Sequence, residues 1–278
     1  YEKSPLKLRF FGLTSQYKKL NHPKLSLQIQ EYIKNSENPR DTRLFAIKIA
    51  EKCNLISLIP LLIELVLNDR EDIQIRKYVA YALESFTINN DIEGIEILRP
   101  IALSDEDLGD EYDLKGISLI ILWPNLITFD ELIEHLPDAN ISYAGAYMRF
   151  LIQHFIEKLP ETEIVSALKW IRENPIMFMP SAKPYFDVIL TQILLKTQNL
   201  IKIDGVIEAF SQTLSALIVD GSYMRERWRE TQFNLLLNTD QELRRLVLKR
   251  VLIILPFDKT LLIPLISHLL HDYGQKIC

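Results

Sequence analysis

Basic and aromatic residues that could bind an anion or a nucleobase are concentrated near the C-terminal end of the sequence. If the segments 223–237 and 240–255 form neighbouring antiparallel helices, guanidinium groups from both line one groove, and the indole of Trp228 can stack on a planar ligand. Interspersed carboxylates such as Glu226 and Glu230 support a second interpretation, in which the arginines pair with acidic residues of adjacent turns. Both interpretations stay open. The candidate ligand- or partner-binding residues are Arg225, Arg227, Trp228, Arg229, Arg244 and Arg245.

The segment 105–113 is acidic, with six carboxylates and no basic residue. Carboxylates at this density can bind a divalent cation, but the segment lacks the Asp-x-Asp-x-Asp-Gly pattern of a calcium loop. A solvated loop is the favoured interpretation. Its last carboxylates then lie at the N-terminus of a helix that begins near Glu111, where negative charge is stabilising.

Catalytic, cofactor and metal motifs are absent from the sequence. None of the eight glycines is followed by lysine, so the chain has no P-loop, and it has no G-x-S-x-G or H-E-x-x-H pattern. His268 and His271 share a helix face without further ligands, which favours a solvated pair over a metal site. Cys53 ends an apolar helix and is interpreted as core filling, and with Cys278 it allows one disulfide at most. We therefore expect no catalytic residue, metal or cofactor in this chain.

Composition narrows the class of protein further. Hydrophobic residues make up 48% of the chain, which is enough for a sizeable core, and only 8 of 278 residues are glycine, which disfavours an all-β fold. The net charge of -5 and the pI near 5.7 argue against a whole-surface affinity for nucleic acid. The most apolar stretch, 55–67, is too short to span a bilayer, and no signal peptide is recognisable. These features predict a cytoplasmic protein that does not bind membranes, and the absence of an initiator Met suggests part of a longer chain.

Apolar residues recur with helical spacing along almost the whole chain, without a run of strict alternation that would indicate a strand. Start signals include Asp240 and the capping box of Thr128 with Glu131. The predicted helices cover residues 23–35, 40–53, 57–68, 72–87, 91–103, 111–122, 129–136, 143–158, 162–173, 182–197, 204–219, 223–237, 240–255 and 259–271.

The helices repeat in pairs with a common register, at a period of about 34 residues. An early basic residue is followed by apolar residues at three, four and seven positions further on, as in Arg76, Val79, Ala80 and Leu83. Because one pair cannot bury its apolar stripe alone, the pairs must stack. We predict an all-α fold, namely an α-solenoid of stacked antiparallel helix pairs of HEAT type. The solenoid is predicted to form a single domain over 1–278. Its repeats are expected to be regular at 20–125 and 221–278, with looser pairs at 126–220. The alternative is a globular helical domain without repeat geometry. The recurring basic residues are Arg43, Arg76, Lys115 and Arg244.

The middle of the chain also carries an ordered series of short motifs. Pro124 is expected to end the helix that Trp123 closes, and Gly145 is expected to permit a close helix crossing beside Tyr147. The series begins with Leu20-Asn-His-Pro23, Glu31-Tyr-Ile33 and the segment Arg43 to Cys53. It continues with Asp113-Leu-Lys-Gly116, Leu122-Trp-Pro124, Phe129-Asp-Glu-Leu132, Tyr143-Ala-Gly-Ala-Tyr147, Phe150-Leu151, Leu159-Pro160 and Ala167-Leu-Lys-Trp170.

Taken in this order, the motifs resemble the helical-repeat region that follows the NACHT-type NTPase domain in large bacterial STAND proteins. The likeness covers about residues 20–255 and is strongest over 110–170. It implies a sensor or regulatory module whose repeats recognise a protein partner or trigger ligand, next to a parent P-loop ATPase domain that activates an effector, often in defence against phage. The segment 136–140 departs from the Thr-Pro-Pro-Lys turn common in that family. The family-motif residues, which we expect to be structural, are Lys115, Gly116, Trp123, Pro124, Gly145 and Tyr147.

Two other functions are compatible with the sequence. One is a DNA-binding helical-repeat protein similar to the DNA-alkylation-repeat glycosylases, with Trp228 and its neighbouring arginines holding a strand and Asp220 as a candidate catalytic carboxylate. The acidic pI disfavours this nucleic-acid partner. The other is a free-standing protein-binding scaffold.

Overall fold

The computed structural model describes residues 14–88, 90–106, 112–136, 145–178, 184–203, 205–219 and 241–255. All regular elements within these ranges are helices, which confirms the predicted all-α class. The chain divides into two compact units, Tyr1–Phe150 (unit 1) and Leu151–Cys278 (unit 2). The single repeat domain, with its regular and looser stretches, stays a prediction. The predicted helices 223–237 and 259–271 lie outside the described residues.

Unit 1 contains eight described α-helices, and short 3-10 turns lead into several of them. The predicted helix 91–103 is a 3-10 turn, Ile95–Leu98, followed by a single α-helical turn. Apart from the predicted helix 143–158, the other bounds in this unit agree with the sequence predictions to within a few residues. The helices are α1 Leu25–Lys34, α2 Arg40–Lys52, α3 Ile59–Leu67, α4 Ile73–Thr87, α5 Arg99–Ala102, α6 Asp113–Leu122, α7 Phe129–Glu134 and α8 Ala146–Arg149.

The helices of unit 1 pack as successive pairs. α1 packs on α2, α3 on α4, and α5 on α6, while α2, α4, α6 and α8 follow one another in a row of neighbours. The buried stripe of α4 includes Val79, Ala80 and Leu83, the positions that the repeat register predicts. Each pair shares its apolar stripe with the next, as expected for stacked helical repeats.

Local capping fixes where two of these helices begin. The Asp72 carboxylate accepts hydrogen bonds from the backbone N–H groups of Gln74 and Ile75 at the start of α4. Thr128 and Glu131 form the predicted capping box at the start of α7. Both satisfy N–H groups that have no partner within the helix.

Unit 2 contains α9 Ile164–Glu173, α10 Pro184–Leu200, α11 Val206–Val219 and α12 Gln241–Ile254 among its described residues. α11 packs on α9 and on α12, and α10 packs on α9 and α11. Part of the core is aromatic, since Trp170 and Phe178 meet edge to face with ring centroids 5.1 Å apart. None of the described helices is long and apolar enough to cross a membrane.

The predicted helix 143–158 differs from the structure. Among its described residues, 145–158, the α-helical part is only α8, and Phe150–His154 continues as a π-helix. A π-helix has a wider turn than an α-helix, so residues five positions apart lie on the same side of it. Phe150 and Phe155 are five positions apart, and both are fully buried.

Candidate functional site

The recurring basic residues of the first three helix pairs are buried and bond to the backbone. Each donates to a carbonyl at, or just beyond, the end of the preceding helix, where carbonyl groups lack partners within the helix. These bases are therefore structural. The bonds run from Arg43 Nε to the Ile33 carbonyl (2.9 Å), from Arg76 Nε to the Val66 carbonyl (2.9 Å) and from Lys115 Nζ to the Ser104 carbonyl (2.6 Å).

Arg43 also joins two successive helix pairs through Glu71. Its Nη1 lies 2.8 Å from Oε1 of Glu71, and its Nη2 lies 2.6 Å from Oε2. The two side chains are only 6% and 11% exposed. The hydrogen bonds from Arg43 are the main reason that the pKa of Glu71 lies below its usual value. The backbone N–H of Asp72 adds to this lowering, while burial opposes it.

We expect Glu71→Gln to flatten the dependence of stability on pH in the acid range. Because the folded state lowers the pKa of Glu71, its ionised form stabilises the protein above the unfolded pKa of about 4.3, and this contribution is lost as the pH falls through the folded value. Urea unfolding between neutral and acid pH measures the effect. Glu71→Gln is expected to be less stable than the wild type at neutral pH and to lose less on acidification.

Glu96→Gln is the matched control, since Glu96 is exposed and should leave the pH dependence unchanged. Parallel pH profiles for the wild type and Glu71→Gln would contradict the role given to this pair.

Lys115 lies in the strongest part of the family resemblance and is almost fully buried. Burial lowers the pKa of its ammonium to about 8, and the nearby carboxylate of Asp105 acts in the opposite direction. The side chain ends on the Ser104 carbonyl and holds the end of the preceding helix against α6.

Asp113, at the start of α6, connects three helices. Its Oδ1 accepts a hydrogen bond of 2.5 Å from the backbone N–H of Ala146 in α8. Its Oδ2 lies 2.7 Å from Nζ of Lys77 in α4. The side chain is buried, so this last carboxylate of the acidic segment is an internal contact and not part of a solvated loop.

Gly116 allows α8 to contact α6 backbone to backbone. A Cβ at this position would lie 2.1 Å from the backbone nitrogen of Tyr147. Gly145, for which the sequence predicts a close helix crossing, precedes α8 with an extended backbone (φ -89°, ψ -170°). The crossing at Gly145 stays a prediction, and the contact at Gly116 agrees with a structural role for that glycine.

Two further family-motif residues, Trp123 and Tyr147, are buried beside or within α6 and α8. Trp123 and Tyr147 are fully buried, and α6 ends at Leu122, just before Trp123 and Pro124 as predicted. The ring of Tyr147 lies 5.8 Å from that of Tyr112. We name the set Asp113, Lys115, Gly116, Trp123, Ala146 and Tyr147 the α6–α8 node.

Arg149, the last residue of α8, extends back to α4. Its Nη2 lies 2.6 Å from Oε2 of Glu84, and its guanidinium carbon lies 5.8 Å from the ring centre of Tyr81. α8 is thus held to α4 and α6 by polar contacts as well as by packing.

The predicted basic cluster is described only in part, because Arg225, Arg227, Trp228 and Arg229 lie outside the described residues. Arg244 is on the buried face of α12, whereas Arg245 is exposed. Arg244 is the recurring base of α12, and it is buried like Arg43, Arg76 and Lys115. Of the two candidate binding residues in α12, only Arg245 is exposed to solvent. A ligand surface at these residues stays a prediction.

The structure describes Cys53 and some of the residues that were considered as metal ligands. Cys53 is buried, its Sγ donates to the Tyr17 carbonyl at 3.1 Å, and burial raises the pKa of the thiol, as expected for core filling. The described part of the chain holds no group of three or more His, Cys, Asp or Glu side chains that could bind a metal. His268, His271, Asp220 and Cys278 lie outside it.

Together, these features define an all-α protein whose first unit is built from stacked helix pairs. No family model, curated protein or solved structure matches the chain. The resemblance to STAND proteins remains a hypothesis based on the sequence motifs.

Proposed function

We propose that the chain is a non-catalytic sensor or regulatory module of a NACHT-type STAND ATPase, acting in the cytoplasm and serving antiphage defence. The observation that supports this most directly is the α6–α8 node. Its motif residues Lys115, Gly116, Trp123 and Tyr147 are each buried, and Gly116 lies against the backbone of Tyr147, which supports a structural role for these four residues.

The polar contacts of unit 1 also favour recognition over catalysis. The buried ionic groups described above bond to backbone carbonyls or to one another: Arg43 with Glu71, and Lys77 with Asp113. Such pairs fix the geometry of a scaffold, and helical-repeat scaffolds bind through extended surfaces without a reactive centre.

The proposal predicts that the purified 278-residue chain neither hydrolyses ATP nor is stabilised by it. A ligand that binds only the folded state raises the Tm, whereas a chain without a nucleotide site shows no such shift. Phosphate release and thermal unfolding with and without Mg-ATP provide the measurement. Turnover that copurifies with the chain would refute the proposal. A P-loop in the coding sequence upstream of these residues would support it.

The DNA-binding alternative can be tested on the same preparation. A gel shift at low salt that weakens steeply as salt rises would favour it, because phosphate contacts release counterions. The sensor proposal predicts no such shift.

A further inference from the structure

The stacked helix pairs of unit 1 have two edges, and polar contacts decide which residues lie at each. Arg43, near the start of α2, contacts Glu71 just before α4, and Lys77, near the start of α4, contacts Asp113 at the start of α6. The starts of α2, α4 and α6 therefore lie at one edge. Because these helices are neighbours in a row, their ends lie together at the opposite edge. We name this opposite edge, formed by the connections 53–58, 88–98 and 123–128, the connection edge.

The N-terminal end of the connection edge is basic. The hydroxyls of Ser26 in α1 and Ser57 before α3 lie 2.6 Å apart, so α1 begins at this edge. Cys53 donates to the Tyr17 carbonyl, which places the segment 14–20 beside the end of α2. Residues 14–30 contain no Asp or Glu. The exposed lysines of this end are Lys18, Lys19 and Lys24.

The lysines of α2 add to this positive charge. Lys48 and Lys52 both donate to the carboxylate of Glu51, at 2.6 Å each. Two ammonium groups therefore share one carboxylate, and one positive charge remains in excess.

The other end of the connection edge is acidic. The connection 88–98 has three carboxylates and no Lys or Arg. Arg99, the base that follows it, bonds to the Leu126 carbonyl and to Glu131, so its charge is offset and the connections 88–98 and 123–128 are held together. The exposed carboxylates of this end are Asp91, Glu93, Glu96 and Asp130.

Exposed aliphatic side chains lie along the same edge. The connections at the opposite edge, 35–39 and 68–72, contain no Ile, Leu, Val or Met, so the two edges differ in polarity. Burying these side chains against a partner would remove apolar surface from water. They are Ile56, Ile88, Ile97 and Leu126, which are 49%, 76%, 48% and 38% exposed.

We propose that the connection edge binds the connection edge of a second copy of this chain, in a two-fold symmetric dimer. A two-fold axis brings one surface against itself in the opposite direction, so the basic end of each copy meets the acidic end of the other. An acidic or a basic ligand would match only one end of the edge. A second copy matches both ends in the required order, and charge complementarity then sets the relative direction of the two copies. This inference goes beyond the proposed function, because it concerns association of the chain with itself.

The test is sedimentation velocity of the 278-residue chain over a range of concentrations at low and at high salt. We expect a dimer at low salt that shifts towards monomer as salt rises, because exposed charge pairs are screened. Two double variants each reverse one end: Lys18→Glu with Lys19→Glu, and Glu93→Lys with Glu96→Lys. Each alone should weaken the dimer roughly thirtyfold, since the two-fold axis repeats every change and about four exposed pairs are lost.

An equimolar mixture of the two double variants gives the sharpest result. In a mixed dimer, the two reversed ends meet each other, and the two unchanged ends meet as in the wild type. The mixture should therefore dimerise with about the wild-type Kd, although each variant alone associates weakly. Misfolding cannot produce this result, because an unfolded variant would not regain binding when mixed with another.

Glu37→Lys with Asp69→Lys is the matched control. Both residues are exposed and lie in connections at the opposite edge. The change in charge is the same as in Glu93→Lys with Glu96→Lys, so a general effect of net charge would appear in both. The control should leave the Kd of the dimer unchanged.

A mixture that associates no better than its separate components would overturn the proposal. So would a wild type that is monomeric at every concentration, and a gel shift with DNA that is lost in Lys18→Glu with Lys19→Glu would then assign the basic end to nucleic acid. ATP turnover by the chain would refute the proposed function and leave the sedimentation result unaffected.

Discussion

Gly116→Ala is expected to lower the free energy of unfolding by about 3 kcal/mol, the upper part of the range for overpacking. The added Cβ would lie 2.1 Å from the backbone nitrogen of Tyr147 and 2.4 Å from the carbonyl carbon of Ala146. Both are backbone atoms, so no side-chain rotation relieves the clash, and α8 must move away from α6. Intrinsic helix propensity acts in the opposite direction, since alanine is favoured over glycine inside a helix by about 1 kcal/mol. The sign of the measured change therefore decides which effect dominates.

Gly94→Ala is the control for this experiment, with urea unfolding as the measurement for both variants. Gly94 has a φ of +78° and open space around its Cβ position, so alanine there meets backbone strain without a clash. We expect a loss of about 1 kcal/mol, the cost of the left-handed conformation for a residue with a Cβ. If Gly116→Ala unfolded at the same urea concentration as the wild type, or at a higher one, the close contact of α6 with α8 would be refuted.

The fold class followed from local patterns in the sequence. The spacing of Val79, Ala80 and Leu83 after Arg76 predicted both the helix and its buried face, because a stripe at three, four and seven residues lies on one side of a helix. Thr128 marked a helix start correctly, because capping depends on side chains within three residues of the cap. Such local information was sufficient to predict the bounds of α1 to α4 to within a few residues.

The contacts that define the α6–α8 node could not be predicted in the same way. Asp113 reaches Lys77 and Ala146, each more than thirty residues away in sequence, and no local pattern specifies such partners. The glycine inside the apolar helix α6 was a usable signal for close backbone approach. The sequence does not say which surface a glycine faces, so the contact of Gly116 with the backbone of α8 could not be predicted from it.

The recurring bases illustrate both the strength and the limit of the sequence pattern. Their register predicted equivalent positions, and Arg43, Arg76 and Lys115 indeed bond to the ends of the preceding helices. The pattern did not distinguish a buried base from an exposed one. Arg244 and Arg245 are adjacent in sequence, yet on a helix adjacent residues point about 100° apart, and only Arg245 is exposed.

Arg43→Ala is expected to destabilise the protein by about 3 to 5 kcal/mol, the usual cost of removing one partner from a buried ion pair. The substitution leaves the Glu71 carboxylate, 11% exposed, without its two guanidinium contacts. It also removes the hydrogen bond to the Ile33 carbonyl at the end of α1. The measured quantity is again the free energy of unfolding in urea at neutral pH, where Glu71 is ionised.

Arg40→Ala provides the matched comparison, because it makes the same substitution three residues earlier in α2. Arg40 is 58% exposed, and its Nη1 lies 3.8 Å from Asp72, so its loss should cost less than about 0.5 kcal/mol. Combining Arg43→Ala with Glu71→Gln completes a double-mutant cycle, in which a coupled pair gives a double variant more stable than the sum of the single losses predicts. Equal effects of Arg43→Ala and Arg40→Ala, or strict additivity in the cycle, would show that the recurring base does not hold successive helix pairs together. A large and coupled effect confined to Arg43 would mean that this buried base joins the first two helix pairs energetically through Glu71.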